Sequence, residues 1–411
     1  MIKADKEAKG LFIYMNRQIK IHSATRWSYF QWFLLGFYWL QDEGKIKVEI
    51  DVPLLQHIGL WNHNGFLSRC SNRIFQNFYD DQPLLLGQAI FDDEAVEFAI
   101  DSSDAPFIYD RQVLDTVDIY FKMQCPKEFL KEGFHLTNDV IIPWTDYAFA
   151  HGNPDEYVDK KPKGKRKDFT DFERYIHKIY PLMIGPRRLA FGNDFYQLRR
   201  GYENIIQSRC LMKEKNVMCY FGNAKGPGRS ENITFDTVDY DWEKDIMGLY
   251  PELNHPNEKR AVVRDIIKEL PNSDARIIND GNSDTGTDNH PELVVSLKDF
   301  GAYVAQFKYN FNVSGYRMSI PNRFIDSFSV GTSIITDDLQ IKWYKPFEPE
   351  EVIEIGSMGY EPMKNVNWEQ VRTRMNVLPE QYPEVVAALF NQKWRPDVVA
   401  QYMIDAMMNV K

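Results

Sequence analysis

Apolar positions along the chain fall into short runs separated by longer polar stretches. The run Gly10–Tyr14 (GLFIY) predicts a central parallel strand. A polar loop is expected over Met15–Thr25, holding Asn16, Arg17 and His22, with Thr25 placed to cap a helix that reaches about Gln41. Lys45–Val52 alternates and reads as the next strand, so the chain opens as strand, helix, strand, the unit of a parallel sheet. Residues 53–90 show no period. Further strands are expected at Glu94–Ile100, Val117–Met123 and Val140–Pro143, then a loop over Gly152–Lys167 and mostly helix over 169–212. The pattern then restarts. Asn216–Phe221 reads as a strand, and His255–Leu270 as a helix with Val262, Val263, Ile266 and Leu270 on one face. Ala275–Ile278, Lys308–Val313 and Ser333–Thr336 read as strands. Helices are expected over Leu297–Gln306 and Pro321–Val330, the second closed by Gly331, and the chain from Trp368 onward reads as helical.

A single core rarely grows past roughly 250–300 residues, so 411 residues and a restarted pattern imply two domains. Hydrophobic residues at 44% and charged residues at 26% exclude a disordered or fibrous chain. Aromatic residues reach 14%, which suits either a cleft for sugar rings or a large ring-filled core. A net charge of −10 opposes general nucleic-acid binding. The one strongly basic run, Lys160 to Lys167, suits an anionic acceptor, a peripheral contact with a membrane surface, or simply a solvated loop. Cys70, Cys125, Cys210 and Cys219 form no C-x-x-C pair and match no zinc spacing, as expected for reduced thiols of an intracellular protein. The apolar stretch Tyr29–Leu40 falls short of the roughly 20 residues that span a bilayer and reads as a buried helix. With no apolar leader at its start, the chain is expected to be cytoplasmic and to lack a transmembrane segment.

The richest stretch runs from Tyr309 to Thr336: a strand, a loop with Gly315, Tyr316, Arg317 and Ser319, a helix start at Asn322, then a short helix and a strand. A helix start offers backbone N–H groups to a diphosphate, and Arg317 and Arg323 add forked cationic contacts. Asp326 lies about one helical turn past Arg323, where a carboxylate can accept ribose hydroxyls. The same spacing also suits a plain strand–helix–strand unit with a surface Arg–Asp pair.

This stretch resembles the donor-binding segment of GT-B-fold glycosyltransferases, most closely the exostosin-like members. Their pattern is an Arg, an acidic residue three positions on, a Gly and a hydrophobic strand; Arg323, Asp326, Gly331 and Ile334 occupy those positions. Ser333 departs from it, standing where the family shows Pro. The resemblance implies an α/β fold of two Rossmann-like domains facing across a cleft. Residues 1–205 would bind the acceptor, 206–380 would bind the nucleotide sugar, and helices over 381–411 would cross back onto the first domain. It further implies that Asp326 holds ribose and Arg323 the diphosphate of a UDP- or GDP-sugar substrate, with no bound cofactor. Phe221-Gly222-Asn223 is similar to the first strand-loop of the family's donor domain, and puts Lys225 and Arg229 beside the phosphates. Asp101-Ser102-Ser103-Asp104 with Tyr120-Phe121-Lys122 resembles the acceptor domains of several microbial glycosyltransferases.

Inverting transfer needs a base for the acceptor hydroxyl and a group that holds the leaving diphosphate. The candidates for the base are His22, in the loop expected after the first strand, and Asp101 or Asp104 after a later one. No metal-ligand cluster is evident, so metal-independent transfer to a glycan or other hydroxyl acceptor is expected. Three rivals remain open: a metal-dependent GT-A enzyme using Asp239-Tyr240-Asp241, a nucleotide-sugar epimerase, and a non-catalytic nucleotide-sugar binding protein.

Overall fold

The computed structural model describes residues 17–24, 27–53, 84–102, 111–127, 136–137, 140–141, 173–186, 189–190, 192–222, 256–278, 295–296, 299–314, 319–356, 358 and 366–410. Two sheets organise these residues. The first holds β1 (Arg17–Ala24), β2 (Lys47–Ile50), β3 (Leu84–Phe91), β4 (Glu94–Asp101), β5 (Ile119–Lys122) and, beyond the short strand β6 (Cys125–Pro126), β7 (Ile179–Pro181). Its order is β2-β1-β3-β4-β5-β7. The flanking pairs β1/β2, β4/β5 and β5/β7 are parallel. The central pairs β1/β3 and β3/β4 are antiparallel, a local departure from the expected strand–helix–strand alternation. Its cause is the turn between β3 and β4. Asp92 and Asp93 both take positive φ, 51° and 70°, the geometry of a tight hairpin, and short aspartates tolerate it better than most residues.

The expected strand Gly10–Tyr14 lies outside the described residues. The polar loop expected over Met15–Thr25 is instead strand β1 for most of its length. Ile19, Ile21 and Ala24 point into the core, and the register slips between Ile21 and Ser23. That bulge breaks the two-residue alternation and hides the strand from a periodicity reading. The helix Gln31–Asp42 (α1) is apolar on nearly every side and accordingly buried along most of its length.

The second sheet holds β8 (Lys215–Gly222), β9 (Asp274–Ile278), β10 (Phe307–Asn312), β11 (Ser333–Thr336) and, past the short strand β12 (Ile341–Lys342), β13 (Val352–Glu354). All its pairs are parallel, in the order β9-β8-β10-β11-β13. The strand order therefore reverses at β8: the chain moves to β9 on one side and returns to β10 on the other. Helices α2 (Phe195–Gln207), α3 (Pro256–Lys268), α4 (Phe300–Val304), α5 (Arg323–Ser329) and α6 (Trp368–Asn376) complete the connections. Gly331 has φ +77°, as the expected closing glycine of α5 requires.

Helices α7 (Pro383–Lys393) and α8 (Pro396–Asn409) cross back onto the first unit. Trp32 Nε1 of α1 donates to the Trp394 carbonyl at 2.9 Å, and the Tyr402 hydroxyl donates to the Pro181 carbonyl at 3.0 Å. Trp32, Phe33, Phe390, Trp394, Val399 and Met403 share one core with the interior of the first sheet. Among the described residues, no helix is long and apolar enough to cross a membrane.

Candidate functional site

In a doubly wound parallel sheet, neighbouring connections run to opposite faces at the point where strand order reverses, which opens a crevice at the carboxyl ends of the strands. Here that point lies between Gly222, closing β8, and Asn312, closing β10. Among the described residues, a Cβ added at Gly222 would meet nothing within 4 Å. Two guanidinium groups converge on this point. Arg260, at the start of the second turn of α3, donates to the Gly222 carbonyl at 2.7 Å and stands 5.6 Å from the centre of the Phe221 ring. Arg323, first residue of α5, stands 5.4 Å from the same ring. Lys259, beside Arg260, is 1% exposed.

Arg323 Nη1 is buried and has no hydrogen-bond partner among the described residues. Arg323 and Asp326 keep some solvent contact, yet protein surrounds them closely enough to dominate their titration. Desolvation lowers the Arg323 pKa to about 10 and raises that of Asp326 to about 7, each opposed in part by the other's charge. A charge held in such a setting without full compensation is costly unless an opposite charge arrives.

The floor beside them is polar. Ser314 donates its N–H and hydroxyl to the buried Asp337 carboxylate, the hydroxyl at 2.7 Å, and Thr336 donates to it at 3.0 Å. Burial pushes the Asp337 pKa up, and these hydrogen bonds, with Lys259, pull it back. Thr336, its one proton given to Asp337, can only accept from Asn312 Nδ2, at 3.0 Å. That leaves Asn312 Oδ1 buried at the same strand end with no hydrogen-bond partner among the described residues.

No protein family model matches the chain, and no curated protein matches it in sequence. Similar solved structures include the GtfA/B complex, with TM-score 0.38 and 9% identity over 79% of this chain and 63% of that one. A second is WaaG, a glycosyltransferase involved in lipopolysaccharide biosynthesis, with TM-score 0.35 and 9% identity over 95% and 97%. A third is the pneumococcal O-GlcNAc transferase GtfA in complex with UDP and GlcNAc, with TM-score 0.27 and 10% identity over 79% and 59%. The chain thus spans less than two thirds of the first and third of these chains. At such TM-scores the likeness is loose and says nothing of activity.

Of the residues expected at a donor site, Gly222, Asn322, Arg323 and Asp326 lie along or beside this edge, and Ser319 precedes Ile320 in the segment leading to α5. Asn223, Lys225, Arg229, Gly315, Tyr316 and Arg317 lie outside the described residues, as do Asp104, the run 160–167 and Asp239-Tyr240-Asp241. Three expectations need correction. The amino end of α5 is a poor phosphate cradle: the helix has seven residues, Phe324 N donates to the Pro321 carbonyl, and Ile325 N and Asp326 N donate to that of Asn322. Anion capacity therefore rests on guanidinium groups. His22 lies within β1, not in a loop after a strand, because the bulged β1 occupies that segment. Asp101 does end β4, but its carboxylate is buried and accepts from Tyr120 and Lys122, both at 2.8 Å. A carboxylate so enclosed and neutralised is not open to an acceptor hydroxyl.

Sequence reasoning missed Arg260, Lys259 and Asp337. A signal existed for each: a Lys-Arg pair near the start of the helix expected over His255–Leu270, and an Asp immediately after the strand expected at Ser333–Thr336.

Proposed function

We propose that this chain is a glycosyltransferase whose second unit binds a nucleotide-sugar donor, UDP- or GDP-linked, at the carboxyl edge between β8 and β10. The sugar passes to a glycan or other hydroxyl acceptor bound by the first unit. One observation carries the reading: Arg260 and Arg323 converge on Phe221 at the reversal point, and Arg323 Nη1 is buried with no hydrogen-bond partner among the described residues. A diphosphate supplies the acceptor oxygens and negative charge that suit Arg323 Nη1. Guanidinium groups can stabilise the charge that grows on the leaving diphosphate, so no divalent cation is required for that role. Asp326 accepts the ribose hydroxyls. Asp104, just past the end of β4, takes the acceptor's proton in place of Asp101.

The test is thermal unfolding of the chain with UDP-, GDP-, CMP- and dTDP-sugars. Native-state binding at a hundredfold excess over Kd adds about 2.7 kcal/mol of apparent stability. Arg323→Ala, Arg260→Ala and Asp326→Ala are each expected to lose most of the shift given by the cognate donor. Full shifts in folded Arg323→Ala and Arg260→Ala proteins would overturn the reading. Transfer or slow donor hydrolysis separates an enzyme from a binding protein, and donor conversion without acceptor would point to an epimerase.

A further inference from the structure

We propose that Gln124 of the first unit is a positioning residue for the nucleotide site of the second, acting through Ile320 on Arg323. The proposal rests on the reading of that site as a nucleotide site.

Gln124 follows β5, and its side chain reaches across to the segment that leads into α5. Its Nε2 donates to the Ile320 carbonyl at 2.9 Å, and its Oε1 accepts from the Ile320 N–H at 3.0 Å. Both residues are 0% exposed. One side-chain amide thus does what a neighbouring strand would do, and takes up both backbone groups of Ile320. The next residue, Pro321, has its φ locked by its ring. After it, Asn322 Nδ2 donates to the Gly185 carbonyl of the first unit at 2.5 Å. From Ile320 to Arg323 the chain is therefore held at two points by the first unit and stiffened between them. Gln124 is itself held, because β6 directly after it pairs with β12, Cys125 opposite Lys342 and Pro126 opposite Ile341. The guanidinium that closes on Phe221 stands at the end of this clamped segment.

Buried backbone groups need partners wherever they occur, so a plain structural seam would also use a glutamine here. The two roles differ in what they move. A seam changes stability alone; a positioning residue changes ligand affinity, and only while Arg323 is present.

The experiment is a double-mutant cycle on the full chain. Calorimetric titration with UDP and with GDP is run on the parent, Gln124→Leu, Arg323→Ala and the double variant, and urea unfolding on all four. Gln124→Leu is expected to weaken the diphosphate that binds by about tenfold in the parent background and not at all in the Arg323→Ala background. Its loss of stability should recur in both. Gln124→Asn keeps both hydrogen-bonding groups on a shorter stem, and carries the same test if the leucine variant does not fold. An equal loss of affinity in the two backgrounds, or parent-like affinity in the Gln124 variants, overturns the proposal. Undiminished binding by Arg323→Ala alone would remove the nucleotide reading, and this proposal with it.

Discussion

Asn322 occupies the amino end of α5, but its side-chain amide donates to the Gly185 carbonyl at 2.5 Å rather than accepting from the helix. Its backbone is already helical there, φ −52° and ψ −27°, whereas a side-chain cap calls for an extended residue. The residue joins the two units instead of closing one helix. Asn322→Ala should lower the urea midpoint by an amount equal to about 1 kcal/mol, the usual worth of such a bond. Asn322→Asp removes the same donor and should be no better. Parent-like midpoints for both would mean the contact adds nothing.

Gly36 sets how closely the closing helix approaches the first unit. A Cβ there would come within 2.2 Å of the Pro396 carbonyl oxygen and 2.8 Å of the Ala400 Cβ. Neither atom belongs to a flexible side-chain tip, so α1 and α8 would have to separate. Gly36→Ala is expected to destabilise by about 1–3 kcal/mol, despite the better helix propensity of alanine. Thermal unfolding checks this, and an unchanged or higher midpoint would show that the helices give way freely.

Asp326 should make stability depend on pH. Burial raises its carboxyl pKa to about 7, while an unfolded chain keeps it near about 3.9. The native state therefore holds the proton more tightly. This contribution is fully present below about pH 4 and is lost as pH rises through about 7. Asp326→Asn cannot ionise, so its advantage over the parent should grow between pH 4 and 8 by on the order of 1–2 kcal/mol, after allowance for the carboxyl's residual solvent contact. Denaturant midpoints at several pH values decide it; a constant difference contradicts the shifted carboxyl.

Asp101 and Lys122 form an ion pair with side chains 2% and 1% exposed. Lys122→Met would leave the buried Asp101 carboxylate without its cation, though still accepting from Tyr120, at a cost of about 3 kcal/mol. Adding Asp101→Asn should recover much of that loss, because the uncompensated charge is gone. Urea unfolding of the single and double variants measures the recovery. A double variant as unstable as Lys122→Met alone would show that packing, not charge, dominates at this position.

Much of the second half of the chain is legible because several of its strands are short and carry an apolar run, although Ile341–Lys342 and Val352–Glu354 are too short to show one. Ala275–Ile278 and Ser333–Thr336 were read to within a residue, and Gly331 was identified as the helix-closing residue its φ makes it. The first half was less so. The β1 bulge broke the alternation at Ile21, and the Asp92-Asp93 turn lacks the glycine that usually marks a hairpin. At the site, Arg323 and Asp326 stood out because their spacing is local. Arg260 and Gln124 did not, since nothing within a few residues of either reveals what it meets.

Local pattern determined the α/β class and the short helix that Arg323 opens, and with chain length it implied two units, because periodicity and turn residues act over a few neighbours. Tertiary structure decided that β8 and β10 lie side by side with the strand order reversed between them. It also decided that Arg260 and Arg323 meet at Phe221, that Asp101 is neutralised by Lys122, and that Gln124 grips Ile320. Each of these pairs residues far apart in sequence, and their contacts follow from how helices and strands pack, which local periodicity does not encode.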